Sequence, residues 1–405
     1  MKLRKDKFNE EDKLNNKENI EGEKSKKSID FKALMNLDLK DIKSKLSKKA
    51  GESKRIRLPE KKKNVVAFDI GSSTIKVVQG MCYKKDLTIE KYVIIPTPKD
   101  AVIDGEIKKE GELYDKLSEM LKANGINAKY AICTTNSSLI INREITIPKV
   151  EEEEMDTVIR YEIQQYLPIN LEDYILQATI MNEEEVYGAA KLNVRVIAYP
   201  EKVARGYYNL LLKLQLKPYA LDVNYNAINK FINLAKVKNE FENKCSDTVA
   251  FVDLGSRSID VNIYNNGKLD FTRIIKDCGN EIDEMLIEKK GLKANEVEEF
   301  KTKNINLYED LEPVNILTRE IVDEWIEKIE KIIQFYKNRN MGNGLNNIVI
   351  FGGSSKLNGM EEYMTQKLGI KTKRKGIPKI AFRSNDDGKP IDDFINAIGS
   401  IIRNE

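Results

Sequence analysis

Two stretches of this 405-residue chain set an aspartate before a glycine-serine turn: Phe68-Asp69-Ile70-Gly71-Ser72-Ser73-Thr74 and Val252-Asp253-Leu254-Gly255-Ser256. Such a turn exposes backbone N–H groups and hydroxyls that can hold phosphate oxygens. The carboxylate at the strand end can hold a hydrated Mg²⁺, an ion that keeps several waters and needs only one or two protein oxygens. A single Asp-x-Gly is ordinary turn chemistry. Two related ones, a domain apart, point to a cleft with a phosphate loop from each side. A third element is Ile348–Phe351 running into Gly352-Gly353-Ser354-Ser355. Paired glycines let backbone approach a flat ligand closely, or simply turn a strand into a helix. Asp222 follows an apolar stretch and precedes a helix. It reads either as a helix N-cap or as the group that orients a water near a γ-phosphate.

The chain contains no histidine. Histidine triads, histidine general bases and histidine-ligated zinc are therefore excluded. Any catalysis runs on carboxylates, lysines, hydroxyls, backbone amides and a bound ion. Cys82, Cys133, Cys245 and Cys278 form no CxxC pair, which suits reduced thiols in a cytosolic protein. No run of about 18 apolar residues is present, and the N-terminus lacks an apolar core and cleavage site. The chain is expected to stay in the cytoplasm.

The elements that must position these residues come as two copies. With Asp69 laid on Asp253, Gly71 falls on Gly255, Ser72 on Ser256, Ile75 on Ile259 and Val77 on Val261. Each copy reads as strand, Gly/Ser turn, strand, second turn, strand. In the second copy Asn266-Gly267 is a strong hairpin signal. The expected fold is α/β, with duplicated domains over residues 63–246 and 247–405 and a small α/β subdomain inserted at about 147–218. Helices are expected at 112–123, 152–166, 200–214, 281–288, 317–337, 359–368 and 391–402, and a strand near 194–198.

Residues 1–62 read as a basic extension, disordered at first. Residues 1–63 carry 21 Lys and Arg against 12 Asp and Glu, net +9, which leaves −6 for the rest of a chain whose total is +3. A nucleic-acid face on the folded body is not implied. Phe31, Met35, Leu39, Ile42 and Leu46 share one helical face over 29–50 among lysines. That segment is either a helix for an anionic membrane surface or a weakly helical linker.

The order of Asp-Gly hairpin, middle carboxylate, second Asp-Gly hairpin and Gly-Gly turn resembles the actin, heat-shock-chaperone and sugar-kinase superfamily, with its RNase H-like ATPase domains. Within it, the chain resembles the PilM family of type IV pilus assembly, related to the FtsA division protein. The resemblance spans about 64–403. It rests on Phe68 to Lys76, Arg143-Glu144-Ile145-Thr146-Ile147-Pro148-Lys149, Gln165-Tyr166-Leu167-Pro168, Leu216-Lys217-Pro218, Phe351 to Met360 and Asn396-Ala397-Ile398-Gly399.

The resemblance implies ATP with Mg²⁺ as cofactors. Asp69 and Asp253 would face the ion through waters. Gly71, Ser72 and Ser73 would form one phosphate loop, and Gly255 and Ser256 the other. Gly352 and Gly353 would back the adenosine, Gly279 would lie near the nucleotide, and Glu327 and Lys331 would pass the ribose and base. The implied function is a cytoplasmic scaffold at the inner face of the membrane. It would bind the cytoplasmic N-terminal peptide of a PilN-like membrane protein and hydrolyse ATP slowly at most. Contact with pilus assembly ATPases, self-association and an FtsA-like filament role stay open. A small-molecule kinase is disfavoured by the lack of a sugar-binding motif.

Overall fold

The computed structural model describes residues 62–83, 85–167, 169–186, 188–237, 247–276, 279–341, 344–374 and 392–403. The basic extension through residue 61, with the helix expected over 29–50, lies outside them. Everything below falls within one unit formed by Lys62–Lys217 and Leu221–Glu405, apart from the strand that carries residues 218–220.

The first domain opens with β1 (Val65–Ile70), β2 (Thr74–Tyr83) and β3 (Asp86–Pro96), an antiparallel meander. All six β1 residues are buried, so the strand reads as a nearly unbroken apolar run. A small hairpin, β4 (Val102–Ile103) with β5 (Glu106–Ile107), leads to α1 (Glu110–Ala123) and then β6 (Tyr130–Thr135). After the inserted segment come α3 (Glu201–Lys213), β10 (Lys217–Val223) and α4 (Asn224–Val237). The sheet order is β10-β6-β1-β2-β3, with β6 parallel to β1.

The second domain repeats this plan with β11 (Thr248–Leu254), β12 (Ile259–Asn265), β13 (Lys268–Ile275), α5 (Asn280–Lys290), α6 (Val297–Asn304), α7 (Pro313–Arg339), β14 (Asn347–Phe351), α8 (Met360–Leu368) and β15 (Thr372–Lys373). Its sheet order, β15-β14-β11-β12-β13, matches the first strand for strand, with β14 parallel to β11. Helix α7 starts on a proline, whose fixed φ suits a first turn. It buries Val314, Thr318, Val322, Trp325, Ile329, Ile333 and Tyr336, all at three- or four-residue spacing. All of these but Thr318 pack with Val252, Val261 and Ile350 in one core. Each such aliphatic side chain contributes about 1.5–3 kcal/mol on burial.

The inserted segment is a three-stranded antiparallel sheet in the order β7-β9-β8: β7 (Ile141–Pro148), β8 (Tyr174–Val186) and β9 (Ala189–Pro200). Helix α2 (Glu152–Tyr166) covers it, placing Ile159 and Ile163 against Ile147, Val194 and Val196. It stops where Leu167 turns extended, as the residue before a proline must. The sheet begins six residues before the expected start at 147 and closes at Pro200, because α3 belongs to the first domain: Tyr207 donates from its hydroxyl to Gly105 O at 2.8 Å.

The last helix, α9 (Ile395–Ile401), returns to the first domain and packs on α4, β1, β2 and β6. All seven of its residues are buried. The contact with α4 is close enough that a Cβ on Gly399 would stand 2.1 Å from Ala227 O. Only glycine fits there.

Candidate functional site

The first turn is held closed from both sides. Gly71 N–H donates to Thr74 O at 3.1 Å. Thr97, just past β3, donates from its hydroxyl to Gly71 O at 2.8 Å and from its amide to Ser73 O at 2.9 Å. The turn's carbonyls are thus engaged, and Ser73 and Thr74 face solvent. Asp69, at the strand end, is buried.

The second turn has the same form, with Gly255 N–H donating to Ser258 O at 3.0 Å. Here the start of α5 does the clipping: Gly279 N–H donates to Gly255 O at 3.2 Å and Asn280 N–H to Ser256 O at 2.9 Å. A Cβ on Gly279 would meet Ser354 Oγ at 2.5 Å. Gly352, with φ of +89°, lies against the other end of the hairpin: a Cβ there would stand 2.3 Å from Asp253 Oδ1. Gly353 has open space where its side chain would be. Residues Asp253, Gly255, Ser256, Gly279, Gly352 and Gly353 are therefore neighbours.

The two turns share one centre. Asn396 on α9 donates from Nδ2 to Asp69 Oδ2 at 3.3 Å and lies near enough to Asp253 to favour its charged form. Lys76 Nζ lies 3.6 Å from Asp69 Oδ2 and within electrostatic reach of Asp253 and Asp393. Burial works against the lysine's charge, but these three carboxylates outweigh it and raise its pKa. Asp393 also pairs with Lys356 at 2.7 Å. Withdrawal from water pushes the Asp253 carboxyl up to about 6, with Lys76 pulling the other way.

Two further groups join the domains beside this centre. Asn136, just after β6, donates to Asp260 Oδ2 at 2.6 Å. Asp260 is buried and its carboxyl is pushed up to about 7, chiefly by burial and then by Asp253. Neither Asp260 nor Asn136, Lys76, Asp393 or Asn396 is singled out by turn chemistry. The signal for Asp260 is a charged residue inside the apolar run Ile259-Asp260-Val261-Asn262-Ile263.

Three expected residues are engaged in other contacts. Asp222 is buried, and its oxygens are spent on Lys230 Nζ at 2.5 Å, Asn226 Nδ2 at 2.7 Å and the Val223 amide at 2.9 Å. Holding the start of α4 accounts for all of these contacts, and no water-orienting role is assigned to it. Glu327 and Lys331 form an exposed pair at 3.9 Å on the outer side of α7.

The centre suits a hydrated divalent cation. Among the described residues no cluster of three or more Cys, Asp or Glu could hold an ion directly. Asp69, Asp253 and Asp393 outnumber the two lysines set against them, Lys76 and Lys356. Asn396 Oδ1 is buried with no hydrogen-bond partner. An orphaned buried carbonyl costs about 1–3 kcal/mol, so something else must donate to it. Water around a cation held by Asp69 and Asp253 would do so, and the ion would neutralise phosphate charge at the adjoining turns.

Two domains of identical strand order, joined across paired Asp-Gly hairpins, define an actin-like α/β protein. A family model described as type IV pilus assembly protein PilM matches residues 67–375, and the chain belongs to that family. The chain is similar in fold to the solved "PilM-PilN type IV pilus biogenesis complex", with a TM-score of 0.67 at 19% identity, covering 83% of this chain and 97% of that one. It also matches the ethanolamine utilization protein EutJ from Carboxydothermus hydrogenoformans (TM-score 0.48, 13% identity, 92% and 94% covered). A third match is MreB5 of Spiroplasma citri bound to ADP (TM-score 0.44, 12% identity, 83% and 94% covered).

Proposed function

We infer that this pilus assembly protein is an ATP-dependent adaptor. Mg²⁺-ATP would bind between the domains, its phosphates on the amides and hydroxyls of Gly71–Ser73 and Gly255–Ser256. Asp69 and Asp253 would hold the ion through waters, and Gly352 and Gly353 would back the adenosine. The observation that carries this reading is Lys76, 3.6 Å from Asp69 and in electrostatic reach of Asp253, with Asn396 bonded to Asp69 beside it.

The partner in this reading is the cytoplasmic N-terminal peptide of a PilN-like membrane protein. It would seat in the cleft between the inserted subdomain and its parent domain. Its support is the family and the likeness to a structure described as a PilM-PilN complex. Among the described residues no helix is long and apolar enough to cross a membrane. The adaptor would reach the inner face of the membrane through this partner.

With Asp222 committed to Lys230, ATP acts here by closing the cleft rather than by rapid turnover. Calorimetry of the full chain with Mg²⁺-ATP tests the reading. Wild type is expected to bind, and Asp69→Ala and Asp253→Ala to bind at least tenfold more weakly. Equal affinity in all three would sink the site. Failure of an immobilised PilN-like peptide to retain the chain, with or without ATP, would sink the adaptor role alone.

A further inference from the structure

Asn396 stands 327 residues from Asp69 in sequence, yet its carboxamide donates to Asp69 Oδ2 at 3.3 Å, beside Asp253. Two carboxylates accept and cannot donate, so the amide must turn its NH₂ toward them. Nδ2 is the donor to Asp69 Oδ2. The other edge, Oδ1, is buried and receives no hydrogen bond from the protein. Buried amide oxygens are nearly always paired.

The placement is rigid. Asn396 is 1% exposed, and α9 is locked on α4 by the Gly399 contact with Ala227. A side chain so fixed is suited to hold others in place. Lys76, the cation already at the centre, does not satisfy Oδ1. A divalent cation held through waters by Asp69 and Asp253 carries donors in its hydration shell, and bonds beyond the coordinating atoms commonly tune metal affinity.

We propose that Asn396 is a third outer-sphere ligand of the divalent cation: its NH₂ holds Asp69 in place, and Oδ1 accepts a hydrogen from a metal-bound water. The inference rests on the Mg²⁺-nucleotide reading and adds a residue that turn chemistry does not supply.

The test is Mn²⁺ affinity, followed by the electron paramagnetic resonance signal of free Mn²⁺, for the full chain loaded with ATP. Asn396→Leu keeps the shape and removes both polar edges. It is expected to weaken Mn²⁺ binding by about tenfold or more. ATP affinity in chelator should fall by a much smaller factor. Asn396→Asp adds an anion facing the ion. It is expected to tighten Mn²⁺ and to lower the melting temperature of the metal-free protein, with Mn²⁺ restoring it. Wild-type Mn²⁺ affinity in Asn396→Leu overturns the proposal. So does an equal loss with and without metal, which marks a structural role. If Asn396→Leu fails to fold, unchanged or weaker Mn²⁺ binding by Asn396→Asp overturns it alone. A wild-type chain that binds no Mn²⁺ with ATP overturns the nucleotide reading, and this proposal with it.

Discussion

Lys76 stands opposite Asp69 in the pairing of β1 with β2, and Asp260 stands opposite Asp253 in the equivalent pairing of β11 with β12. The two repeats thus place unlike charges at the same position. One supplies a cation between the hairpin carboxylates, and the other a buried acid bonded across the domains to Asn136. The duplicated hairpins therefore form an asymmetric centre.

Removing Lys76 should expose how much of this centre depends on it. In Lys76→Met, Asp69, Asp253 and Asp393 lose the cation they share. Loss of one partner from a buried charge cluster typically destabilises by about 3–5 kcal/mol. Thermal unfolding in chelator is expected to show a large drop in Tm, and millimolar Mg²⁺ to recover part of it. A Tm within a degree of wild type would show that the three carboxylates do not need the lysine.

Asp260 gives a pH dependence of defined sign. Its carboxyl shifts from the usual 3.8 up to about 7. Between these values the folded chain holds the proton and the unfolded chain has lost it. Its contribution is therefore complete below about pH 4 and lost as pH rises through 7. Asn at this position has no charge to desolvate. The stability difference between Asp260→Asn and wild type in metal-free buffer should grow from near zero at pH 4 to roughly 4 kcal/mol at pH 8, at about 1.4 kcal/mol per unit up to about pH 7. A difference that stays flat across this range would contradict the shift.

The neighbouring glycines separate fold from ligand. Gly352 has φ of +89° with ψ of 172°, a region almost closed to other residues, and its missing Cβ leaves room for Asp253. Gly352→Ala should lose at least about 2 kcal/mol in urea unfolding. Gly353→Ala meets nothing within 4 Å and should stay within about 0.5 kcal/mol of wild type. If adenosine lies against this turn, Gly353→Ala still weakens ATP binding in calorimetry. Unaltered affinity would remove Gly353 from the ligand surface.

Much of the fold is legible where it obeys local rules. The two hairpins, the Gly352-Gly353 turn and α2 are readable because Asp-Gly turns, buried apolar runs and a proline stop are short-range signals. Strand β8 goes unread: it is an edge strand, mostly exposed, and Glu183-Glu184-Glu185 break any alternation. Asn396 and Asp69 meet only through the return of α9, so nothing near either residue announces the pair. Glu327 and Lys331 show the reverse. Their place between the buried Trp325, Ile329 and Ile333 of α7 already turns them outward.

Asp222 and Lys230 provide the sharpest discrimination between structural and chemical readings. Their side chains are 6% and 4% exposed and 2.5 Å apart. Asp222→Ala would leave the Lys230 charge buried with only the Ser400 carbonyl at 3.4 Å. The expected loss is about 3–5 kcal/mol in urea unfolding. Replacing both, as Asp222→Leu with Lys230→Met, removes the charges together and should recover most of that loss. ATP turnover per folded molecule should be the same in this double variant as in wild type. A group that positions the attacking water would give the opposite pattern, with turnover down at least a hundredfold and stability recovered. That result would return Asp222 to the catalytic site.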